Sequence, residues 1–108
     1  MPDALLSKIR TRALPLESSS DLDPLLDRIG DARVVMLGEA THGTAGYYEW
    51  RARITRRLLL EKDFSFVAVE GDWPDCYRLD RYLKDGEGGS AFDVLHAFDR
   101  EMARLLRK

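Results

Sequence analysis

The chain has 108 residues, 17 of them lysine or arginine and 19 aspartate or glutamate, so that its formal net charge is −2. This length allows one small domain, and the near balance of charge excludes the basic excess typical of nucleic-acid-binding proteins. With Cys76 as the one cysteine, an intramolecular disulfide is excluded and a reducing compartment fits. No apolar run approaches the ~20 residues of a membrane span, and the first residues lack the pattern of a secretory signal. These features predict a cytoplasmic protein that binds neither nucleic acid nor membranes.

Two helices are predicted near the N-terminus. The spacing of the apolar residues predicts a short helix over 4–12. The next helix is predicted to begin at Asp21 or Asp23, because either side chain can cap its first turn. Gly30 follows its last apolar residue and is predicted to end it.

Two short apolar runs are predicted to be strands of a parallel sheet. The first is Val34–Leu37, within the segment RVVMLGEATHGT, and the second is Phe66–Val69. Runs of this length that are apolar at every position are typical of strands buried on both faces. With one helix between them, the two runs predict a βαβ unit and hence an α/β fold. Because parallel strands end at the same edge of a sheet, we expect Glu39, His42 and Glu70 to converge.

The helix between the two runs is predicted over 44–62. Its apolar stripe comprises Tyr47, Ile54 and Leu58. Arg51 falls in the middle of that stripe, so its guanidinium must either bind an anionic partner or extend to solvent at the helix edge. Glu39 and Glu70 are the nearest candidate partners in the predicted sheet. Asp63 follows the helix and is predicted to have a left-handed backbone, a conformation that aspartate tolerates.

Two further helices are predicted in the last third of the chain. Asp72 is placed to cap a helix over 73–83, and Ser90 and Asp93 are placed to begin a last helix. The apolar stripe of that last helix comprises Leu95, Phe98, Met102 and Leu105. His96 lies beside the stripe and is interpreted as a partly exposed surface histidine.

The predicted cluster has the groups needed to hydrolyse a substrate with water. Histidine is the residue type most often used as a general base, and a neighbouring carboxylate from Glu39 or Glu70 would fix the tautomer of His42 and support its protonated form. Arg51 could hold a substrate oxygen or stabilise a developing oxyanion. A covalent mechanism has weak support, because the chain has no G-x-S-x-G segment and Cys76 has no obvious base beside it.

Two other interpretations of the same residues stay open. Glu39, His42 and Glu70 are plausible metal ligands, although their spacing matches no strong metal-binding motif. In the other interpretation the residues are structural, because glycines make turns at strand ends and a glutamate there can cap the next helix. The residues alone favour a catalytic cluster only slightly over the structural interpretation.

The segments GEATHG and VAVEGDWPD, at their spacing in this chain, resemble the N-terminal part of the erythromycin esterase family. The similarity is clearest over 21–83, and the whole chain, 1–108, is interpreted as the N-terminal part of such a hydrolase domain. The resemblance implies a three-layer α/β/α fold with a parallel sheet core. It also implies that His42 is the base that activates water against an ester or lactone carbonyl, and that Glu39, Arg51 and Glu70 belong to the same active site.

Several further expectations accompany this resemblance. Thr41, Asp72 and Trp73 are predicted to bind the substrate, a small-molecule ester or lactone that need not be a macrolide, and no cofactor or metal is expected. Family members are several times longer and carry a further active-site histidine downstream. The chain is therefore expected to be an N-terminal fragment that is marginally stable or self-associates through open sheet edges. The alternative is a non-catalytic remnant that binds a small ligand or a partner chain.

Overall fold

The computed structural model describes residues 2–97, and these residues form helices and no β-strand. The elements are α1 (Pro2–Arg12), a 3-10 helix (Ser19–Leu22), α2 (Asp23–Ile29), α3 (Ala45–Glu61) and α4 (Trp73–Asp85). Residues 91–97 are also helical up to the end of the described part. The chain divides into two compact units between Val67 and Ala68.

The predicted α/β fold is wrong for the described residues. Neither Val34–Leu37 nor Phe66–Val69 is a strand, so the βαβ unit and the three-layer architecture with a parallel sheet core are absent from 2–97. The apolar side chains of both runs are largely in solvent, with Met36 91% exposed. A strand needs a ladder of hydrogen bonds to a partner and cover on its apolar faces. These two runs have neither, and self-association through sheet edges therefore has no basis in the described residues.

The predicted helices of the first unit are confirmed. Helix α1 covers the predicted range and begins slightly earlier, and α2 ends at Gly30, whose φ of 53° is costly for residues with a side chain. Asp21 accepts hydrogen bonds from the backbone N–H groups of Glu17 and Ser18, at 2.9 and 2.7 Å. These two bonds lower the pKa of the Asp21 carboxyl. Asp21 therefore stabilises the start of the 3-10 helix, directly before α2. The predicted cap of α2 by Asp21 or Asp23 is wrong, because Leu22 occupies the N-cap position and α2 has no side-chain capping hydrogen bond.

The buried leucines of the first unit come from three helices: Leu22, Leu26 and Leu58. Arg57 supplies the polar link between the same elements. Its guanidinium donates to the Ser19 carbonyl oxygen at 2.9 Å, to Asp23 at 2.7 Å and to Glu61 at 2.7 Å. The bonds to the Glu61 and Asp23 carboxylates raise the pKa of Arg57, and the bond from Arg57 lowers the pKa of Glu61. Helix α3 is thus linked to the 3-10 helix and to the start of α2 by the hydrogen bonds and ion pairs of Arg57.

Helix α3 matches the predicted range almost residue for residue. It is followed by Asp63, which has the predicted positive φ, at 57°. Thr44 occupies the N-cap position, although its side chain makes no capping hydrogen bond. No helix within residues 2–97 is both long enough and apolar enough to cross a bilayer.

In the second unit, α4 begins after Asp72, which occupies the predicted N-cap position although its side chain makes no capping hydrogen bond. The helix ends at Gly86, whose φ of 71° is left-handed. The predicted start of the next helix is confirmed, because the Asp93 carboxylate accepts from the Ser90 backbone N–H at 2.9 Å and the Ser90 hydroxyl oxygen accepts from the Asp93 N–H at 3.2 Å. Val94 is buried behind this cap, and His96 is exposed as predicted. The stripe positions Phe98, Met102 and Leu105 lie outside the described residues.

Candidate functional site

The candidate site is built on the loop before α3 and on the first two turns of that helix. The loop is tied to the helix start by a hydrogen bond between the Thr41 and Thr44 hydroxyl groups, at 3.1 Å. The Tyr47 N–H donates to the Thr44 carbonyl oxygen at 3.1 Å, which closes the first turn. Side chains three and four positions apart share a helix face, so Tyr48 and Arg51 lie on one face of α3.

Glu39 lies at the centre of this site. One carboxylate oxygen, Oε1, lies 2.5 Å from His42 Nδ1, and the other, Oε2, accepts from the Arg51 guanidinium at 2.5 Å. The Glu39 side chain is 14% exposed, against 33% for Arg51 and 83% for His42. Burying a carboxylate is costly unless it is paired, and here each oxygen has its own partner. The structure thus brings together three of the four residues that were predicted to be catalytic.

Tyr48 is a member of this site that the sequence did not reveal. Its hydroxyl lies 3.3 Å from Glu39 Oε1 and 3.2 Å from the carbonyl oxygen of His42. The Arg51 guanidinium lies over the Tyr48 ring, 5.7 Å from its centroid. The spacing of Tyr48 and Arg51 by three positions on the predicted helix could have indicated that Tyr48 lies beside Arg51. We refer to Glu39, His42, Tyr48 and Arg51 as the Glu39 cluster.

The arrangement orients the His42 ring in a defined way. A carboxylate beside Nδ1 favours the tautomer in which Nδ1 carries the proton and donates it to Glu39. The other nitrogen, Nε2, then has a free lone pair on a ring that is mostly in solvent. Such an imidazole has the bonding pattern of a general base that takes a proton from water.

The remaining predicted site residues belong to the second unit, except Thr41. Glu70 and Asp72 are exposed, and Trp73 is exposed with its ring stacked on Tyr77 at a centroid distance of 5.6 Å. The convergence of Glu70 with the Glu39 cluster was predicted from a shared sheet edge that is absent from the described residues, and it stays a prediction. The substrate-binding roles of Thr41, Asp72 and Trp73 also stay predictions.

One cavity of about 260 Å³ lies within the second unit. Its lining includes Tyr77, Arg81, Glu87 and Val94, and none of the predicted site residues. Arg81 donates to Glu87 at 3.2 Å and pairs with Asp85 at 2.7 Å. The bond from Arg81 lowers the pKa of the Glu87 carboxyl. Arg81 and Glu87, two of the charged residues at this cavity, are therefore paired with each other.

Metal ligation was the other chemistry considered for the predicted cluster. Within residues 2–97, no three histidine, cysteine, aspartate or glutamate side chains are grouped so that they could hold a metal ion. Glu39 and His42 are in contact, and the other oxygen of Glu39 binds Arg51, a cation that is not a metal ligand.

Comparison with known families gives a match over the second half of the chain. Residues 59–107 match the model of the erythromycin esterase family. No solved structure matches the chain. The resemblance found in the sequence is therefore confirmed as a partial family match over this segment.

The matched segment overlaps the range of clearest resemblance over 59–83. It includes Glu70 and the substrate-binding candidates Asp72 and Trp73. The Glu39 cluster lies before it in the chain. The family match and the observed cluster are therefore two separate observations about this protein.

Proposed function

We propose that the chain carries the catalytic base of a hydrolase that cleaves carboxylic esters or lactones with water. The observation that carries this proposal is the Glu39 carboxylate, which binds His42 Nδ1 and Arg51 at the same time. The partial family match supports the reaction class independently, because it comes from residues outside the cluster.

The proposed reaction begins with a water molecule held by His42. Nε2 takes one proton from the water while the water oxygen attacks the carbonyl carbon, and the carbonyl π electrons move to the carbonyl oxygen. The tetrahedral intermediate then collapses, and the bond between carbon and the alcohol oxygen breaks. The proton held on Nε2 goes to the departing alkoxide. The products are a carboxylic acid and an alcohol, joined in one molecule if the substrate is a lactone.

Glu39 and Arg51 support the two charges that develop. The imidazolium formed on His42 lies beside the Glu39 carboxylate, which stabilises it and holds the ring in place. Arg51 uses one guanidinium nitrogen to bind Glu39. Since a guanidinium has five N–H donors, the others can bind the oxyanion of the intermediate. The proposal keeps the roles predicted from the sequence for the other residues, Glu70 as a catalytic residue and Thr41, Asp72 and Trp73 as substrate-binding residues.

The test compares His42→Ala with the wild-type chain and with His96→Ala. His96 is the matched control, because it is the chain's other histidine and is also exposed. Hydrolysis of a chromogenic acyl ester and of a macrolactone is measured as kcat/KM. We expect weak turnover by the wild-type chain and by His96→Ala, and a loss of about 100-fold in His42→Ala, which is typical of removing a general base. Equal rates in all three proteins, or no turnover by the wild-type chain, would overturn the proposal.

A further inference from the structure

The Tyr48 hydroxyl lies between the Glu39 carboxylate and the backbone of His42. It lies 3.3 Å from Glu39 Oε1, the same oxygen that faces His42 Nδ1, and 3.2 Å from the His42 carbonyl oxygen. Both neighbours are acceptors, so Tyr48 is the donor and its one proton is shared between them. A carboxylate oxygen has lone pairs enough to accept from both Tyr48 and His42.

The Tyr48 ring also contacts Arg51, another member of the cluster. Arg51 is three positions further along α3, and its guanidinium lies over the Tyr48 ring at 5.7 Å from the centroid. A cation in this position is attracted by the electrons of the ring face. One side chain therefore contacts the carboxylate, the backbone of the base and the arginine.

We propose that Tyr48 is a positioning residue for the Glu39–His42 pair. Its hydroxyl holds Glu39 Oε1 next to the backbone of His42, so that the carboxylate stays opposite Nδ1 while its other oxygen stays on Arg51. Its effect on hydrolysis rests on the proposed function. Its effect on the tautomer of the His42 ring does not, because that effect depends only on the geometry of the free protein.

The variant Tyr48→Phe removes the hydroxyl and keeps the ring over which Arg51 lies. Tyr47→Phe is the matched control. Tyr47 is the preceding residue on the same helix, it is 43% exposed against 44% for Tyr48, and its hydroxyl makes no hydrogen bond within the described residues. Both variants lose one oxygen atom from an equally exposed ring, so a difference between them reports the contacts of the Tyr48 hydroxyl.

The first measurement is the ¹⁵N chemical shifts of the histidine ring nitrogens at a pH of about 9, where histidine side chains are generally neutral. These shifts report the ratio of the Nδ1–H to the Nε2–H tautomer. We expect Tyr48→Phe to lower this ratio for His42 about fivefold, which corresponds to a hydrogen bond worth about 1 kcal/mol. Tyr47→Phe leaves the ratio unchanged, and His96 is the internal reference in every spectrum. The amide spectrum of each variant shows whether the fold is retained.

The second measurement is hydrolysis of the chromogenic ester. We expect Tyr48→Phe to lower kcat several-fold with little change in KM, because the base is misplaced and the substrate contacts remain. An unchanged His42 tautomer ratio in a folded Tyr48→Phe protein, or the same change in Tyr47→Phe, would overturn the positioning role. A changed ratio in a protein without His42-dependent turnover would support the positioning role and overturn the proposed function instead.

Discussion

Glu39 is the least exposed member of the ion pairs that it forms with His42 and Arg51. A carboxylate that is mostly removed from water depends on its partners for stabilisation. Its two oxygens contact two different groups, the His42 ring and the Arg51 guanidinium, so neutralising this one side chain disturbs both contacts. At the scale of single residues, a substitution of Glu39 therefore acts on two contacts of the site at once.

We expect Glu39→Gln to lower kcat/KM for ester hydrolysis by about 10- to 100-fold, because a neutral amide stabilises the imidazolium far less than a carboxylate does and cannot form an ion pair with Arg51. Glu49→Gln is the matched control. It removes an ion pair with Arg53 on the same helix, in which both side chains are well exposed, and such pairs contribute little. The measurement is kcat/KM for ester hydrolysis by the two variants and by the wild type. Equal rates for Glu39→Gln and Glu49→Gln would contradict a role of Glu39 in the site.

The pairing of helix α3 with the start of α2 is the main polar contact between helices in the first unit, and it depends on Arg57. The sequence placed Arg51 correctly at the centre of the helix stripe but gave no sign of Arg57, whose partners Ser19 and Asp23 are 38 and 34 positions away. Contacts over such separations depend on how helices pack, which helical periodicity does not determine.

This network predicts how the stability of the first unit depends on acid. Arg57 lowers the pKa of Glu61 from its ordinary value of 4.5. The stabilisation is therefore fully present above pH 4.5 and is lost as the pH falls through the lower pKa of the folded state. We expect the melting temperature to fall over this acidic range in the wild type and to fall less in Arg57→Met. Thermal melts followed by circular dichroism at a series of pH values measure this change in melting temperature.

Arg56→Met is the control for this prediction. Arg56 is the exposed neighbour of Arg57 on α3, and it has only a minor influence on Glu61. We expect this variant to keep the acid dependence of the wild type. Because the ion pairs lie at the surface, the difference between the variants should shrink at high salt. An identical acid dependence in both variants would show that the Arg57 network does not stabilise the fold.

Two glycines at helix ends provide a second prediction at this scale, because one has a left-handed backbone and the other a helical one. Gly86 ends α4 with a left-handed φ of 71°, so Gly86→Ala should destabilise the second unit by about 1 kcal/mol. Gly46 lies inside the first turn of α3 with nothing within 4 Å of an added Cβ atom. Gly46→Ala should therefore leave stability unchanged or raise it by up to about 1 kcal/mol. Urea unfolding of both variants measures this, and the same sign for both would refute it.

The helices could be predicted from the sequence because their signals are local. Gly30 marked the end of α2, and Asp63 was assigned a left-handed backbone; both follow from nearby residues. The prediction of strands at Val34–Leu37 and Phe66–Val69 was wrong, because an apolar run indicates a tendency to be buried and not the presence of a pairing partner. The same distinction applies to the site. Glu39, His42 and Arg51 were grouped correctly within one stretch of chain, while the position of Glu70 was inferred from a sheet.

At the scale of the whole molecule, the described residues bury little apolar surface. The buried apolar side chains are Leu22, Leu26, Leu58 and Val94, whereas many large apolar side chains are exposed. Exposed apolar surface of this extent is unfavourable in water and promotes association. Burial has to offset a loss of conformational entropy of about 1–2 kcal/mol per residue for the backbone alone, and these few side chains leave a small margin.

We therefore expect the purified chain to unfold over a broad temperature range and to self-associate as its concentration rises. Sedimentation velocity at several concentrations and a thermal melt measure these two properties, and binding of a hydrophobic dye reports the exposed apolar surface. A concentration-independent monomer with a sharp cooperative transition and no dye binding would contradict this expectation.

The short separations within the Glu39 cluster have a consequence for the time at which the site assembles. His42 is 3 positions from Glu39, and Arg51 is 12. Loops of about 10 residues close within roughly 10–100 ns, and a helix of about 20 residues forms within about 1 μs. The contacts around Glu39 therefore have low contact order and are expected to form on these timescales, long before slower rearrangements such as proline isomerisation. The acid–base pair would then be among the earliest features of the native chain to appear during folding.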